Sequence, residues 1–480
     1  LQKKFVTNLL LIIVLNLLIK PFWIFGIDRT VQNMVGAESY GFYFSLLNFT
    51  LLLNMIPDLG ITNYNNRNIA RHTQLLNKHL ANVSGLKIIL ATVYAIVSMV
   101  TALIIGYSAA QISLLVFLIL NQIFISFSLY FRSNLTALHL FRTDSLLSIL
   151  DRSLMILFCS IILFTDATHH TMHIEWFVYI QTFSYLLAAI IIFAVVKHYS
   201  GHIKLSFNRS FFIIFLRKSY PYALLILLMS LYTRMDSVLI ERLLPATEGK
   251  TEAGIYAQAY RLLDAVSNFG VLFAGILLPI FSRMLKKRED IRPILRFSFL
   301  LIIAPALLLA FSSWFFRKEI MEVLYHHHTS QSPLILGILM FTFISIATTY
   351  IFGTLLTAKG TLKQLNILAA GGVVLNLVLN LVLIPKLMAL GAAWAALTTQ
   401  SVMALAQVVL VYYLFRFTPD LKLIIRILLY TLAVIVLGIL CTGWQNWLQG
   451  YLTMLVGGIL LAFATGLISL KTLRAILTEQ

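Results

Sequence analysis

The chain has 480 residues, 60% of them hydrophobic and only 11% charged, with a formal net charge of +18. A soluble domain of this size is about 25% charged, so a soluble enzyme, a nucleic-acid reader and a disordered chain are all disfavoured. The mean hydropathy of +0.91 points the same way. The basic residues sit in short gaps between long apolar runs, so the positive charge reads as membrane topology and not as nucleic-acid binding.

A spanning helix needs roughly 20 apolar residues, and fourteen runs qualify as candidates. The first six run 5–27, 39–60, 83–106, 111–135, 146–165 and 176–196. The next six run 219–241, 253–281, 294–316, 334–358, 364–384 and 390–415. The last two run 427–443 and 451–470. Period-2 alternation is absent, so these are helices and not barrel strands. The run after Lys3-Lys4 is expected to be retained as span 1, since a cleaved leader has a shorter apolar core and a small-residue cleavage site. A polar outer loop is expected between spans 1 and 2, and a weakly polar loop, Leu140 to Ser145, between spans 4 and 5. Span 13 is short, so Gly443-Trp444-Gln445-Asn446-Trp447 is a candidate re-entrant tip.

With the N-terminus placed in the cytoplasm, 24 of the 36 Lys and Arg fall on the cytoplasmic side and six on the outer side. The remaining six, Lys20, Lys87, Arg132, Arg152, Arg234 and Arg261, lie within spans. This positive-inside bias predicts an even number of spans with both termini cytoplasmic.

Two halves open alike. Gly41 and Tyr43 enter span 2, Gly254 and Tyr256 enter span 8, and Gly391-Ala392-Ala393 opens span 12. Six spans per half give a parallel repeat about an axis along the membrane normal, and the glycines read as points of close helix approach at the outer ends. The expected organisation is an all-α integral membrane protein: an N-lobe (1–200), a cytoplasmic linker (201–218), a C-lobe (219–416) and a C-terminal helix pair (417–480). Two like-oriented lobes suggest a transporter that rocks around a central cavity.

Several runs then carry a family resemblance. Gly36-Ala37-Glu38-Ser39-Tyr40-Gly41 is followed by Pro57-Asp58-Leu59-Gly60 and Arg67-Asn68-Ile69-Ala70. Asp236, Gly254-Ile255-Tyr256, Ala259-Tyr260-Arg261-Leu262, Leu278-Pro279 and Ser282-Arg283 come next, then Ala358-Lys359-Gly360, Asn376, Asn380, Pro385 and Gly391-Ala392-Ala393. In order and spacing the sequence resembles the polysaccharide-biosynthesis (oligosaccharide flippase, Wzx-like) family, in the superfamily of multidrug/toxin-extrusion (MATE) transporters and lipid II flippases. The resemblance implies a MATE-like fold and the flipping of an undecaprenyl-diphosphate-linked oligosaccharide across the inner membrane of a bacterium. Implied partners are that substrate, membrane lipids and other polysaccharide-assembly proteins, with the chain itself a monomer. A MATE-like multidrug antiporter, with an acidic cavity, and a membrane enzyme of glycan assembly such as a polymerase are the alternatives.

Ionised residues at mid-bilayer cost roughly 2.5–3.5 kcal/mol and need a partner or a wet cavity. Arg234 and Asp236 in span 7, with Arg261 and Asp264 in span 8, fall at similar depth. In one reading the two guanidiniums face a cavity that receives a diphosphate, because an always-ionised planar fork holds phosphate oxygens by two hydrogen bonds. Asp236 and Asp264 then hold the arginines between cargoes or bind a coupling H+ or Na+. In the other reading the four form ion pairs that dock the two helices. Arg132 is expected to pair with Asp151 across spans 4 and 5, or to line the inner vestibule. Lys20, before Pro21, either snorkels to the interface or joins the cavity. Asp58, followed by Asn63, Asn65, Asn66 and Arg67, is a candidate for lipid phosphate at the cytoplasmic mouth, or a helix stop before a solvated loop. Asn16, Asn48 and Asn54 are candidate sugar contacts or interhelical glue.

No catalytic residues, metal or cofactor are expected. His326-His327-His328 and His169-His170 with His173 lack the fixed ligand spacing of zinc sites. Cys159 and Cys441 lie inside apolar runs, which argues against a disulfide framework. The chain has no phosphate-binding Gly-Lys-Ser/Thr motif and no Gly-x-Ser-x-Gly elbow.

Overall fold

The computed structural model describes residues 18–467 apart from 20, 63–64, 66–68, 70–75, 139, 165–171, 201–206, 208, 327–329 and 419. Within them the chain is helical, with no strand. A π-helical segment, Phe22–Asp28, runs into α1 (Arg29–Leu52). Then follow α2 (Leu76–Ile105), α3 (Ala109–Ala137), α4 (Phe141–Leu147), α5 (Leu150–Phe164) and α6 (Ile174–Ser200). Next come α7 (Arg209–Leu243), α8 (Ala246–Lys287), α9 (Arg292–Phe315), α10 (Arg317–Leu324) and α11 (Ser332–Lys359). The last are α12 (Leu362–Phe415), α13 (Leu421–Thr442) and α14 (Trp447–Ala464).

Eleven helices among the described residues are long and apolar enough to cross a membrane. The expected count of fourteen is not reached in that form, for three local reasons. Much of the expected span 1 lies outside the described residues. The helix that carries span 2, α1, is not one of the eleven. Expected spans 11 and 12 both lie in α12, which is helical over 54 residues except at Met388 (φ 54, ψ −133). There the chain folds back, because a Cβ on Gly391 would collide with the Leu383 carbonyl, and a straight helix would hold residues eight apart about 12 Å from each other.

The outer loop expected between spans 1 and 2 is replaced by a single break. Helix continues through Asp28 and Arg29 to Gly36, whose φ of 80 and ψ of 169 interrupt α1. The Tyr40 hydroxyl donates to both Asp28 carboxylate oxygens at 3.0 and 2.9 Å. Twelve residues of straight helix span about 18 Å, so this bond requires the chain to turn back at Gly36. Span 2 also ends early: α1 stops at Leu52 and residues 53–60 form turns, with Leu59 (φ 45) and Gly60 (φ 75) both left-handed. The expected loop from Leu140 to Ser145 is largely helix α4. The 443–447 segment is a tight connection, not a re-entrant tip: Gly443 ends α13, and the Asn446 side chain caps α14 by accepting from the Leu448 and Gln449 amides. Helix α7 begins at Arg209, inside the segment expected as linker.

Caps set several boundaries. Ser108 and Gln111 form a reciprocal capping box at the start of α3, satisfying two amides that a helix start leaves open. Gly360 closes α11 in the left-handed conformation, at φ 84.

The helices gather into two compact units, Leu1–Gly254 and Ile255–Gln480. In the first, α3 packs on α6, α1 on α7 and α3, α5 on α6, and α2 on α3. One apolar core there joins Leu80, Val83, Leu86, Tyr130, Leu135, Ile192 and Val196. In the second, α11 packs on α9 and α12, and the α13–α14 pair lies against α9. Its core joins Ile303, Leu307, Tyr430, Val434 and Met454. Small residues allow this seam to close: a Cβ on Gly438 would strike the Phe315 ring, and one on Gly458 would strike Leu308. The outward faces of α2 and α13 expose Ile96, Leu103, Ile104, Leu428, Leu432 and Ile439. Exposed aliphatic rows on long apolar helices suit a lipid surround, and the chain is a multi-pass membrane protein.

Candidate functional site

The four expected charges lie on two helices. Helix α7 carries Arg234, half-buried, and Asp236, buried. Helix α8 carries Arg261 and Asp264, both half-buried and one turn apart on one face. All four are engaged in contacts, so none is a free charge. Asn268 donates to the Asp264 carbonyl at 2.8 Å, within the helix.

Inside the first unit the chain forms a buried ion pair that the sequence reading missed. Lys87, on α2, has its side chain wholly withdrawn from solvent, and its Nζ lies 2.8 Å from an Asp58 carboxylate oxygen. Asp58 is therefore charge-paired and not a bare helix stop. The same ammonium donates to Ser126 Oγ at 2.8 Å, and Ser126 donates to the Pro57 carbonyl at 3.1 Å. Asp58 also accepts from the Thr62 hydroxyl, where helix resumes. One cation thus ties the turns after α1 to α2 and α3. The signal was present in the sequence: Lys87 is the only charge in span 3.

Arg132 takes a different partner from the one expected. Its Nε lies 2.8 Å from Asp144 Oδ1, with a second bond of 3.4 Å to Oδ2. Helix α4 brings Asp144 within reach, which a loop reading of 140–145 could not show. Asp151 instead sits at the start of α5, where Arg152 Nε lies 4.0 Å from its carboxylate. Asn48 is buried and donates to the Phe44 carbonyl of its own helix at 2.9 Å. Its side-chain oxygen has no hydrogen-bond partner, which leaves one acceptor for a bound group or a water. Lys20 and Asn16 lie outside the described residues, as do His169, His170, His327 and His328. Among the described residues no group of three or more potential metal ligands gathers. Cys159 and Cys441 are free and buried.

A second cluster joins the start of α3 to the end of α7. The Gln111 side chain donates to Glu241 Oε1 at 2.8 Å and accepts from an Arg242 terminal nitrogen at 3.3 Å. Arg242 Nε is 3.0 Å from Glu241 Oε2, close enough for ion pairing but off the hydrogen-bonding direction, so neither atom counts as satisfied there. The Arg242 guanidinium covers the Tyr107 ring at 4.0 Å. Burial pushes the Tyr107 hydroxyl pKa up, and the nearby Glu241 carboxylate adds to the shift, so this phenol stays protonated at neutral pH.

Beside this cluster, Gly41 and Gly254 meet backbone to backbone. A Cβ on Gly41 would collide with the Lys250 carbonyl and the Gly254 amide, and one on Gly254 with the Ala37 carbonyl. The Lys250 ammonium lies 5.3 Å from the centre of the Phe42 ring. The close helix approach expected at these glycines is thus present, and the two glycines form one crossing.

Solved structures share this architecture. Lipid II flippase MurJ, in an inward closed conformation, aligns over 95% of this chain and 98% of its own, with a TM-score of 0.70 and 16% identity. An inward-facing multidrug resistance MATE family transporter of the MOP superfamily aligns over 79% of this chain and 91% of its own (TM-score 0.59, 14% identity). A MOP superfamily transporter from Pyrococcus furiosus aligns over 84% and 93% (TM-score 0.56, 13% identity). Fold and membrane-spanning helices therefore define a polytopic membrane protein with a MATE- and MurJ-like fold. A profile described as polysaccharide biosynthesis protein matches residues 5–285, more than half of the sequence. The chain belongs to that family. No curated protein matches the sequence.

Proposed function

We propose that the protein is a flippase that moves an undecaprenyl-diphosphate-linked oligosaccharide across the bacterial inner membrane by alternating access. The cargo is the repeat unit of an O-antigen, capsule or exopolysaccharide. Membership of the polysaccharide biosynthesis family carries this reading, and the likeness in fold to a lipid II flippase supports it. Arg234 and Arg261 supply the chemistry: guanidiniums in apolar helices, fixed in charge and suited to grip a diphosphate while the glycan is carried past. Asp236 and Asp264 restrain the arginines between cargoes or bind a coupling H+ or Na+. Lys20, Arg132 and Asn48 are further candidate contacts. Both termini lie in the cytoplasm, and the chain works as a monomer beside other polysaccharide-assembly proteins without catalysing a reaction itself.

The experiment is to remove the protein from cells and follow lipid-linked repeat units. Accumulation on the cytoplasmic leaflet, reversed by the intact chain but not by Arg234→Ala or Arg261→Ala at equal protein level, supports the reading. The fold is also that of a multidrug resistance transporter. Loss of drug resistance with normal surface polysaccharide would transfer the assignment there.

A further inference from the structure

Gln111 lies 130 and 131 residues from Glu241 and Arg242 in sequence, yet two hydrogen bonds and one ion pair close the three into a ring. Gln111 is held at both ends of its amide, its nitrogen by the carboxylate and its oxygen by the guanidinium. The Ser108 amide donates to the same oxygen at 2.9 Å, which fixes the side chain from below. Glu241 is 7% exposed and Gln111 4%, so water competes little for these bonds and each charged hydrogen bond counts for more. The adjacent Gly41–Gly254 crossing leaves no room for even one methyl group. Two independent contacts therefore bind the same ends of α1 and α3 to the end of α7 and the start of α8.

Charge lies directly along the helix from this ring. Arg234 and Glu241 are seven residues apart on α7, so they share a face within about 20° and stand about 10 Å apart along the axis. An anion held at Arg234 would repel the Glu241 carboxylate and attract Arg242, and those are the two groups that grip Gln111.

We propose that Gln111, Glu241 and Arg242 form a latch that keeps the outer end closed, and that a diphosphate bound at Arg234 releases it. The release half rests on the flippase reading, and calling this end the outer one rests on the topology; the holding of these helix ends by the latch rests on neither. In the closed state the ring and the glycine crossing hold α1 and α3 against α7 and α8. Arrival of the anion loosens both ends of the Gln111 amide together, and the glycine crossing then separates.

The test uses the full chain with Cys159→Ala and Cys441→Ala, and spin labels at Met34→Cys and Thr247→Cys, both surface positions near the crossing. Electron–electron distance distributions are recorded in detergent with and without added undecaprenyl diphosphate. Glu241→Gln and Gln111→Ala are each expected to raise the ratio of long- to short-distance molecules about tenfold, as loss of a charged hydrogen bond implies. Arg242→Lys, which keeps the charge but not the planar fork, should fall between them and the parent. Gly41→Ala should remove the short distance altogether. Unchanged distributions in Glu241→Gln and Gln111→Ala, in protein that remains monodisperse, would overturn the latch. Undecaprenyl diphosphate should lengthen the distance in the parent and not in Arg234→Ala. A latch that opens in the variants while the lipid has no effect on the parent would overturn the release and count against the flippase reading. It would leave the latch standing.

Discussion

Lys87 and Asp58 meet at 2.8 Å with the ammonium wholly buried and the carboxylate 30% exposed. The asymmetry sets which partner matters more. Asp58 can hydrate if left alone, whereas Lys87 cannot. Asp58→Asn should therefore destabilise the protein by about 3–5 kcal/mol, the cost of stranding a buried charge. Lys87→Met, of similar volume, should cost clearly less. Thermal unfolding of the detergent-solubilised protein checks the order, and a Lys87→Met loss equal to or larger than that of Asp58→Asn would refute it.

The partner of Arg132 can be identified by a double-mutant cycle on the same readout. Arg132→Ala and Asp144→Ala should couple by about 1–2 kcal/mol, as partly buried charged hydrogen bonds do. Arg132→Ala and Asp151→Ala should be additive within about 0.5 kcal/mol. Coupling to Asp151 instead would mean that α4 does not hold Asp144 where it stands.

Asp420 separates capping from ion pairing. Its carboxylate accepts from the Leu423 amide at 3.1 Å and meets Arg296 at 2.6 Å, both side chains being substantially exposed. Exposed pairs contribute little, about 0–1 kcal/mol, whereas replacing an N-cap by alanine costs about 1 kcal/mol. Asp420→Asn should then be nearly neutral and Asp420→Ala measurably destabilising. Equal losses would assign the stability to the ion pair.

Arg261 gives the functional counterpart. On the proposed reading, Arg261→Ala abolishes polysaccharide export at normal protein level, and Arg261→Lys retains part of it, because lysine keeps the charge but loses the two-pronged grip. The measurement is surface polysaccharide in cells expressing each variant, normalised to membrane-inserted protein. Loss of the protein itself in Arg261→Ala would favour a structural ion pair.

How much of this was legible in the sequence depends on the range over which each signal acts. Apolar runs mark the centres of the helices better than their ends: the run 111–135 lies inside α3, Ala109–Ala137, whereas α1 starts ten residues before the run 39–60 and stops eight residues before its end. Gly41 and Gly254 were readable because both halves of the sequence carry Gly-x-Tyr at the start of a span, and the two glycines meet. Asp28 and Arg29 looked like loop because they are charged, but Asp28 is buried under the Tyr40 hydroxyl, and polarity alone cannot show such a bond. Equal depth in neighbouring helices points Arg132 to Asp151, whereas the seven residues of α4 bring Asp144 to it instead. The Gln111–Glu241–Arg242 ring joins positions some 130 residues apart, and no local pattern marks an amide as the target of a distant ion pair.

The reversal at Met388 bears on how readily a protease or an inserted tag can be accommodated there. Helix runs up to Leu387 and resumes at Ala389, so no slack chain is offered between them. A protease needs an extended segment to thread its cleft, and here the backbone would first have to unravel. Limited proteolysis of the detergent-solubilised protein should spare this hairpin, and an epitope tag spliced into it should disturb the protein more than one placed at a looser connection.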